Sequence, residues 1–130
     1  MREHTVTTRV RYGETDQMGV VYHANYLLYF EMGRTELMRA AGFAYSELER
    51  RGIYLVVTET ACRFRAPARY DQEIRIATRV ARLGKATVRF EYSVLGLEGE
   101  LLAEGHTELA SVNRDKHPVR LPSDVASQLS

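Results

Sequence analysis

The polar and apolar positions fall into two regimes with a short, irregular stretch before the first long run. From His4 to Tyr12, Thr5, Thr7, Arg9 and Arg11 alternate with Val6, Thr8, Val10 and Tyr12, the period-two pattern of a strand. From Ala24 to Ala41 no proline occurs, and at 100° per residue Tyr26, Leu27, Phe30, Gly33, Leu37, Met38, Ala40 and Ala41 share one broad arc of a helix. Leu28, Tyr29 and Met32 interrupt the opposite side, so this helix is expected to be covered on more than one face. Gly33 weakens a helix interior by about 1 kcal/mol relative to alanine, which predicts the close approach of another backbone as compensation. Gly42 stops the helix, and a short helical turn is expected over Ser46 to Arg51, ended by Gly52.

Beyond Ile53 the chain reads as strand almost throughout. Ile53 to Ala66 is too long for a simple strand, so a bend or bulge is expected before Pro67. Glu73 to Leu83 and Thr87 to Leu95 each alternate apolar with charged or polar residues, joined by a turn at Gly84 and Lys85. Gly96 to Gly99 makes the next hairpin, Leu101 to Val112 is the last strand, and Ser123 to Leu129 is expected to close the chain as a short helix. This order describes an α+β domain: one amphipathic helix, wrapped by a strongly curved antiparallel sheet that covers its apolar side.

Composition narrows the function classes. The chain has 130 residues, enough for one domain with a core that needs no staple or metal. Eighteen basic against seventeen acidic residues leave a formal charge of +1, so there is no broad field for wrapping nucleic acid. Cys62 stands alone, excluding an intrachain disulfide and fitting a reducing compartment. No apolar run is long enough to span a bilayer, and a soluble cytoplasmic protein is expected. His4, His106 and His117 lack metal-ligand spacing, so no metal is expected. Cys62 reads as a small buried hydrophobe.

The chemistry concentrates between the first strand and the long helix, in Asp16 to Tyr26, DQMGVVYHANY. A carboxylate, a flexible Gly19, a histidine and an asparagine there lead into a helix N-terminus, where unpaired N–H groups and the helix dipole favour negative charge. Such a place can stabilise an oxyanion. Arg34 falls on the apolar arc, where an unpaired charge is costly; a carboxylate partner is expected, with Glu36 and Glu59 as candidates.

This stretch, followed by LLYFEMGRTELMRAAG, resembles the hotdog-fold thioesterases of the 4-hydroxybenzoyl-CoA thioesterase family, in particular the YbgC-like branch of acyl-CoA thioesterases. Asp16, Gly19, Val21, Tyr22, His23, Asn25 and Tyr26 carry the match, Glu31, Gly33, Arg34 and Glu36 extend it, and FRAPARYDQEIRIATRV and VNRDKHPVRLP continue it along nearly the whole chain. The resemblance implies one hotdog domain over residues 1–130 that hydrolyses the thioester of an acyl-CoA or an acyl carrier protein. It implies that Asp16 attacks the carbonyl, giving a mixed anhydride, or activates water as a general base. It also implies that the N–H of His23, at the opening of the helix, is the oxyanion donor, with the imidazole in a secondary role.

Tyr22, Asn25 and Tyr26 would shape the pocket or hold the loop, Asn25 chiefly as a hydrogen-bonding residue of the helix start and the tyrosines chiefly by packing. Lys85, in the turn Leu83 to Lys85, is expected at the nucleotide of coenzyme A, with Arg65, Arg69 and Arg82 as further cations. Coenzyme A is part of the substrate, and no separate cofactor is expected. The family also implies dimers, commonly tetramers, with each site built between protomers. Two other readings stay open: a non-catalytic module that binds acyl-CoA, and a dehydratase using Glu31 or Glu36.

Overall fold

The elements follow from where the alternation of residue types starts and stops. The computed structural model describes Met1–Ser130. In chain order the elements are β1 (Glu3–Arg9), a single 3-10 turn at Tyr12–Glu14, α1 (Asn25–Ala40), α2 (Tyr45–Arg50), β2 (Tyr54–Phe64), β3 (Glu73–Leu83), β4 (Thr87–Gly96), β5 (Leu101–Val112) and α3 (Ser123–Leu129). The strands form one antiparallel sheet in the order β1-β3-β4-β5-β2. Alternation is legible in the burial: Ile74, Ile76, Thr78 and Val80 of β3 are buried, while Arg75, Ala77 and Arg79 face the other way. The expected irregularity of β2 is a register shift between Val57 and Glu59.

The helix α1 lies against the buried face of the sheet and carries Tyr26, Tyr29, Phe30, Gly33, Arg34, Leu37 and Met38 inward. Phe30 stacks on Tyr92 of β4 with ring centroids 4.3 Å apart. Two small residues set the approach. A Cβ at Gly33 would overlap the Thr78 Oγ1 and sit 2.9 Å from Ile76 Cγ2; one at Gly105 of β5 would strike the Ala61 carbonyl oxygen and the Phe30 ring. Gly33 therefore meets strand side chains, rather than the backbone its sequence suggested.

Three further expectations need correction. β1 ends at Arg9 rather than Tyr12, because Tyr12 turns into the 3-10 segment and leaves the sheet. Leu27 is exposed and Tyr29 buried, the reverse of the wheel, because the face α1 turns to the sheet runs through Tyr26, Tyr29 and Phe30. Arg34, only 9% exposed, has no carboxylate partner: its Nε donates to the Tyr45 hydroxyl of α2 at 3.2 Å, while Glu59 pairs with His106 and Glu36 with Arg39. Burial works against the Arg34 charge, and the Tyr45 and Tyr92 hydroxyls beside it more than offset that. The Tyr45 hydroxyl is itself pushed up to about 12, mainly by burial.

Candidate active site

Glu14, Asp16 and Val20 to Tyr22 form a miniature hairpin ahead of α1. The Asp16 N–H donates to the Val20 carbonyl at 2.9 Å, the Tyr22 N–H to the Glu14 carbonyl at 2.9 Å, and Thr15 bridges Val21. The turn closes with the Gly19 N–H on the Asp16 carbonyl at 3.0 Å, and Gly19 takes φ 77°, a conformation that a side chain would strain. The Asp16 Oδ1 accepts the Met18 N–H at 2.8 Å, the side-chain turn that aspartate makes readily. Its second carboxylate oxygen has no partner in the chain. Asp16 is half-buried, so that oxygen is offered at the surface of the hairpin.

The hairpin hands over to α1 through Tyr22 and His23. The Asn25 N–H donates to the Tyr22 carbonyl at 2.8 Å and the Tyr26 N–H to the His23 carbonyl at 3.3 Å. The helix thus opens at Asn25 with Ala24 as its cap, and His23 precedes the cap instead of opening the helix. The N–H groups of His23 and Ala24 donate to no acceptor in the chain, as the geometry of a helix start leaves them. The His23 ring lies 4.6 Å from Tyr22 and 6.2 Å from Phe64, with no hydrogen bond of its own. Tyr26 is buried and packs on Phe64 at 5.4 Å; burial raises its hydroxyl above the ordinary range, which suits packing better than proton transfer.

Glu14 ties these parts together, and nothing in its sequence context singles it out. Its Oε1 accepts the Arg11 N–H at 2.8 Å and the Tyr29 hydroxyl at 2.9 Å, and its Oε2 faces Arg11 at 3.0 Å. Its backbone carbonyl takes both the Tyr22 N–H and, at 2.8 Å, the Asn25 side-chain amide. One residue thus fixes the hairpin to the first turn of α1. Burial alone would raise the Glu14 pKa, but the hydrogen bonds from Arg11 and Tyr29 outweigh it and hold the carboxyl below its usual range. The Tyr29 hydroxyl is correspondingly pushed up, chiefly by burial and then by that carboxylate.

Asp16, Gly19, Tyr22, His23, Asn25 and Tyr26 therefore share one hairpin-to-helix unit. Lys85 does not join them. The unit follows the end of β1 where Arg9 pairs with Glu73, whereas Lys85 lies past Leu83, at the opposite end of β3, roughly 30 Å away along the strand. Around the unit, Met18, Tyr22, Leu27, Leu28 and Phe64 present exposed apolar surface. A cavity of about 660 Å³ occurs elsewhere, lined by Thr5, Ala77, Ser93, Glu104 and His106 on the sheet face turned away from α1, and it is not a slot for this loop. No three His, Cys, Asp or Glu side chains converge as metal ligands. Cys62 is half-buried, and burial pushes its thiol up, leaving it a poor nucleophile.

Residues 10–129 match the Thioesterase-like superfamily. The chain belongs to that superfamily. It is 34% identical over 119 residues to the acyl-CoA thioesterase YbgC of Haemophilus influenzae, covering 90% of this chain and 87% of that protein. It is 31% identical over 121 residues to the acyl-CoA thioester hydrolase YbgC of Escherichia coli O6:H1, covering 92% and 90%. The crystal structure of the DHNA-CoA thioesterase of Staphylococcus aureus superposes with a TM-score of 0.89 at 32% identity, covering 93% of this chain and 82% of that one. The fold is an α+β hotdog fold, and the expectation of a thioester hydrolase is met. No helix is long and apolar enough to cross a membrane.

Proposed function

We propose that the protein hydrolyses acyl-CoA thioesters, or the same thioester on an acyl carrier protein, to a free acid and a thiol. A single hotdog domain over residues 1–130, its sheet curled around α1, carries the activity. The observation behind this reading is the pairing of a carboxylate that keeps one oxygen free with an unpartnered N–H at a helix start, both on one braced hairpin. Asp16 acts as nucleophile or general base toward the thioester carbonyl, and the His23 N–H receives the developing negative charge. The exposed apolar surface of Tyr22, Leu27, Leu28 and Phe64 is the ground for the acyl group. Coenzyme A enters as part of the substrate and no other cofactor is required.

That ground is open, and a second copy of the chain would roof it. β2 is an eleven-residue strand whose outer edge pairs with nothing in the chain. Antiparallel pairing of β2 with β2 about a two-fold axis extends the sheet and reverses the partner. The far end of the partner's sheet then lies level with Phe64, and this is how a Lys85 would approach the site, from across the interface.

The test is thiol release from a panel of short, long and aromatic acyl-CoAs. Asn at position 16 can keep the acceptor of the Met18 turn while losing the charge, whereas Ala loses both, so Asp16→Asn separates chemistry from loop structure. The expected result is release by wild type and a fall of at least about 10²-fold in both variants. Full activity in Asp16→Asn would refute the role of the carboxylate. Binding of acyl-CoA with no release by wild type would favour a non-catalytic binding module.

A further inference from the structure

An exposed aromatic pair beside the loop has no part in the chemistry above. Tyr12 and Tyr70 are 78% and 56% exposed, yet their rings are held edge to face with centroids 5.6 Å apart. Both stand on cross-braced backbone. The Tyr12 carbonyl accepts the Thr15 N–H at 3.2 Å and the Thr15 hydroxyl at 2.7 Å, one residue before Asp16. Tyr70 precedes Asp71, whose φ of 68° folds the segment back so that the Asp71 N–H reaches the Val10 carbonyl at 2.9 Å and the Val10 N–H reaches the Gln72 carbonyl at 2.9 Å. Arg9 donates to the Asp71 carbonyl at 2.6 Å and closes the brace. Two large rings thus meet in water on a braced backbone, so less of that segment has to be ordered when a ligand arrives.

A cation immediately precedes Tyr70 in the chain. Arg69 is exposed, its guanidinium has no ion pair or hydrogen bond in the chain, and its backbone bridges Val20 in the catalytic hairpin. Of the carboxylates of this corner, Asp71 and Glu73 face Arg9 and Glu14 faces Arg11, while Asp16 keeps one oxygen free. A flat π surface with a bare guanidinium one residue along the chain suits a base joined to a phosphate, because rings stack a base and the planar fork matches phosphate oxygens. An acyl chain would use neither.

We propose that Tyr12, Tyr70 and Arg69 seat the nucleotide end of the thioester substrate, the purine on the rings and a phosphate on Arg69. This rests on the acyl-CoA reading and deepens it: it places nucleotide recognition on the protomer that carries Asp16, where Lys85 of the same chain is out of reach. The flexible pantetheine arm would run from this corner to the hairpin.

The seat is read directly by calorimetry with adenosine 3′,5′-diphosphate, and the reading it rests on by thiol release from an acyl-CoA and from the matching acyl N-acetylcysteamine thioester, which lacks the nucleotide. Wild type should bind the diphosphate, and Tyr70→Ala and Arg69→Gln should each weaken it about tenfold or more, with Tyr70→Phe restoring affinity. The preference for acyl-CoA over the truncated thioester should fall in step, through KM rather than kcat. No diphosphate binding by wild type, or equal affinity in the Ala and Gln variants, would overturn the proposal. Loss of self-association with unaltered diphosphate affinity would assign the rings to a subunit contact and overturn it as well. Failure of wild type to cleave either thioester would instead count against the thioesterase reading, while the calorimetry still decides the seat.

Discussion

Substituting Gly33 by alanine sets two effects of known sign against each other in the middle of α1. Removing glycine from a helix interior stabilises by about 1 kcal/mol. Against that, the new Cβ would overlap the Thr78 Oγ1 and sit 2.9 Å from Ile76 Cγ2, in a layer where Thr78 and Ile76 are both buried. Overpacking of this kind costs about 1–3 kcal/mol, so Gly33→Ala should destabilise by about 0–2 kcal/mol net. Most of the clash is with one side chain, whose hydroxyl has no hydrogen-bond partner. Thr78→Ala removes that side chain and leaves only the Ile76 contact. The double variant should therefore be more stable than the sum of the single effects predicts, by about 1–2 kcal/mol.

Urea unfolding of wild type, both single variants and the double variant, at one protein concentration, measures this coupling. Additivity within about 0.5 kcal/mol would refute the claim that Thr78 sets the helix-to-sheet distance at this point. Gly105→Ala is the control. Its Cβ would meet the Ala61 carbonyl, part of the β2–β5 ladder, and the Phe30 ring already stacked on Tyr92. Neither can retreat, so its cost should exceed that of Gly33→Ala.

Three other outcomes follow from the site and the core. The Glu14 carboxyl titrates below its ordinary value in the fold, so its contribution is complete above the unfolded carboxylate pKa and is lost as pH falls through the lowered folded value; Glu14→Gln should flatten that acid limb of stability and cost about 1–3 kcal/mol at neutral pH, measured by thermal melts from pH 7 to pH 3. Arg34→Met orphans no carboxylate and should stay within about 1 kcal/mol of wild type, whereas Tyr45→Phe strips the Arg34 Nε of its acceptor and should cost about 1–3 kcal/mol; the opposite order in urea would reject the account of that cation. Thr78→Val keeps the shape and removes an unpaired buried hydroxyl, so it should stabilise by about 1 kcal/mol, and a lowered urea midpoint would mean the hydroxyl has a partner after all.

How much of this was legible in the sequence depends on the range of the forces involved. β3, β5 and α3 have the bounds their residue alternation and turn glycines predict, because those signals are local. The stretch from Asp16 to Tyr26 was legible from its residues as a place for an oxyanion, but a catalytic role for Asp16 only through the resemblance to a family; by spacing alone Asp16 is a turn residue, and it does make the turn. Glu14 was not legible, since its role depends on Tyr29, fifteen residues on, and on a carbonyl that any residue possesses. The surroundings of Arg34 are not legible in sequence, because a buried cation ordinarily calls for a carboxylate, whereas here two tyrosines from other elements close over the guanidinium. The distance of Lys85 from the hairpin of its own chain was not legible either: sequence gives the turn, and only the strand order gives where that turn lies.

The strand order also fixes when the protein can exist at all. β2 pairs with β5, so that Tyr54 waits for Val112, and β1 waits for β3. During synthesis the strand made second stays without a neighbour until the last has emerged, while the β3–β4–β5 meander can close as it appears. A chain stopped before β5 would leave β2 bare on both edges, an aggregation hazard rather than a smaller version of the fold.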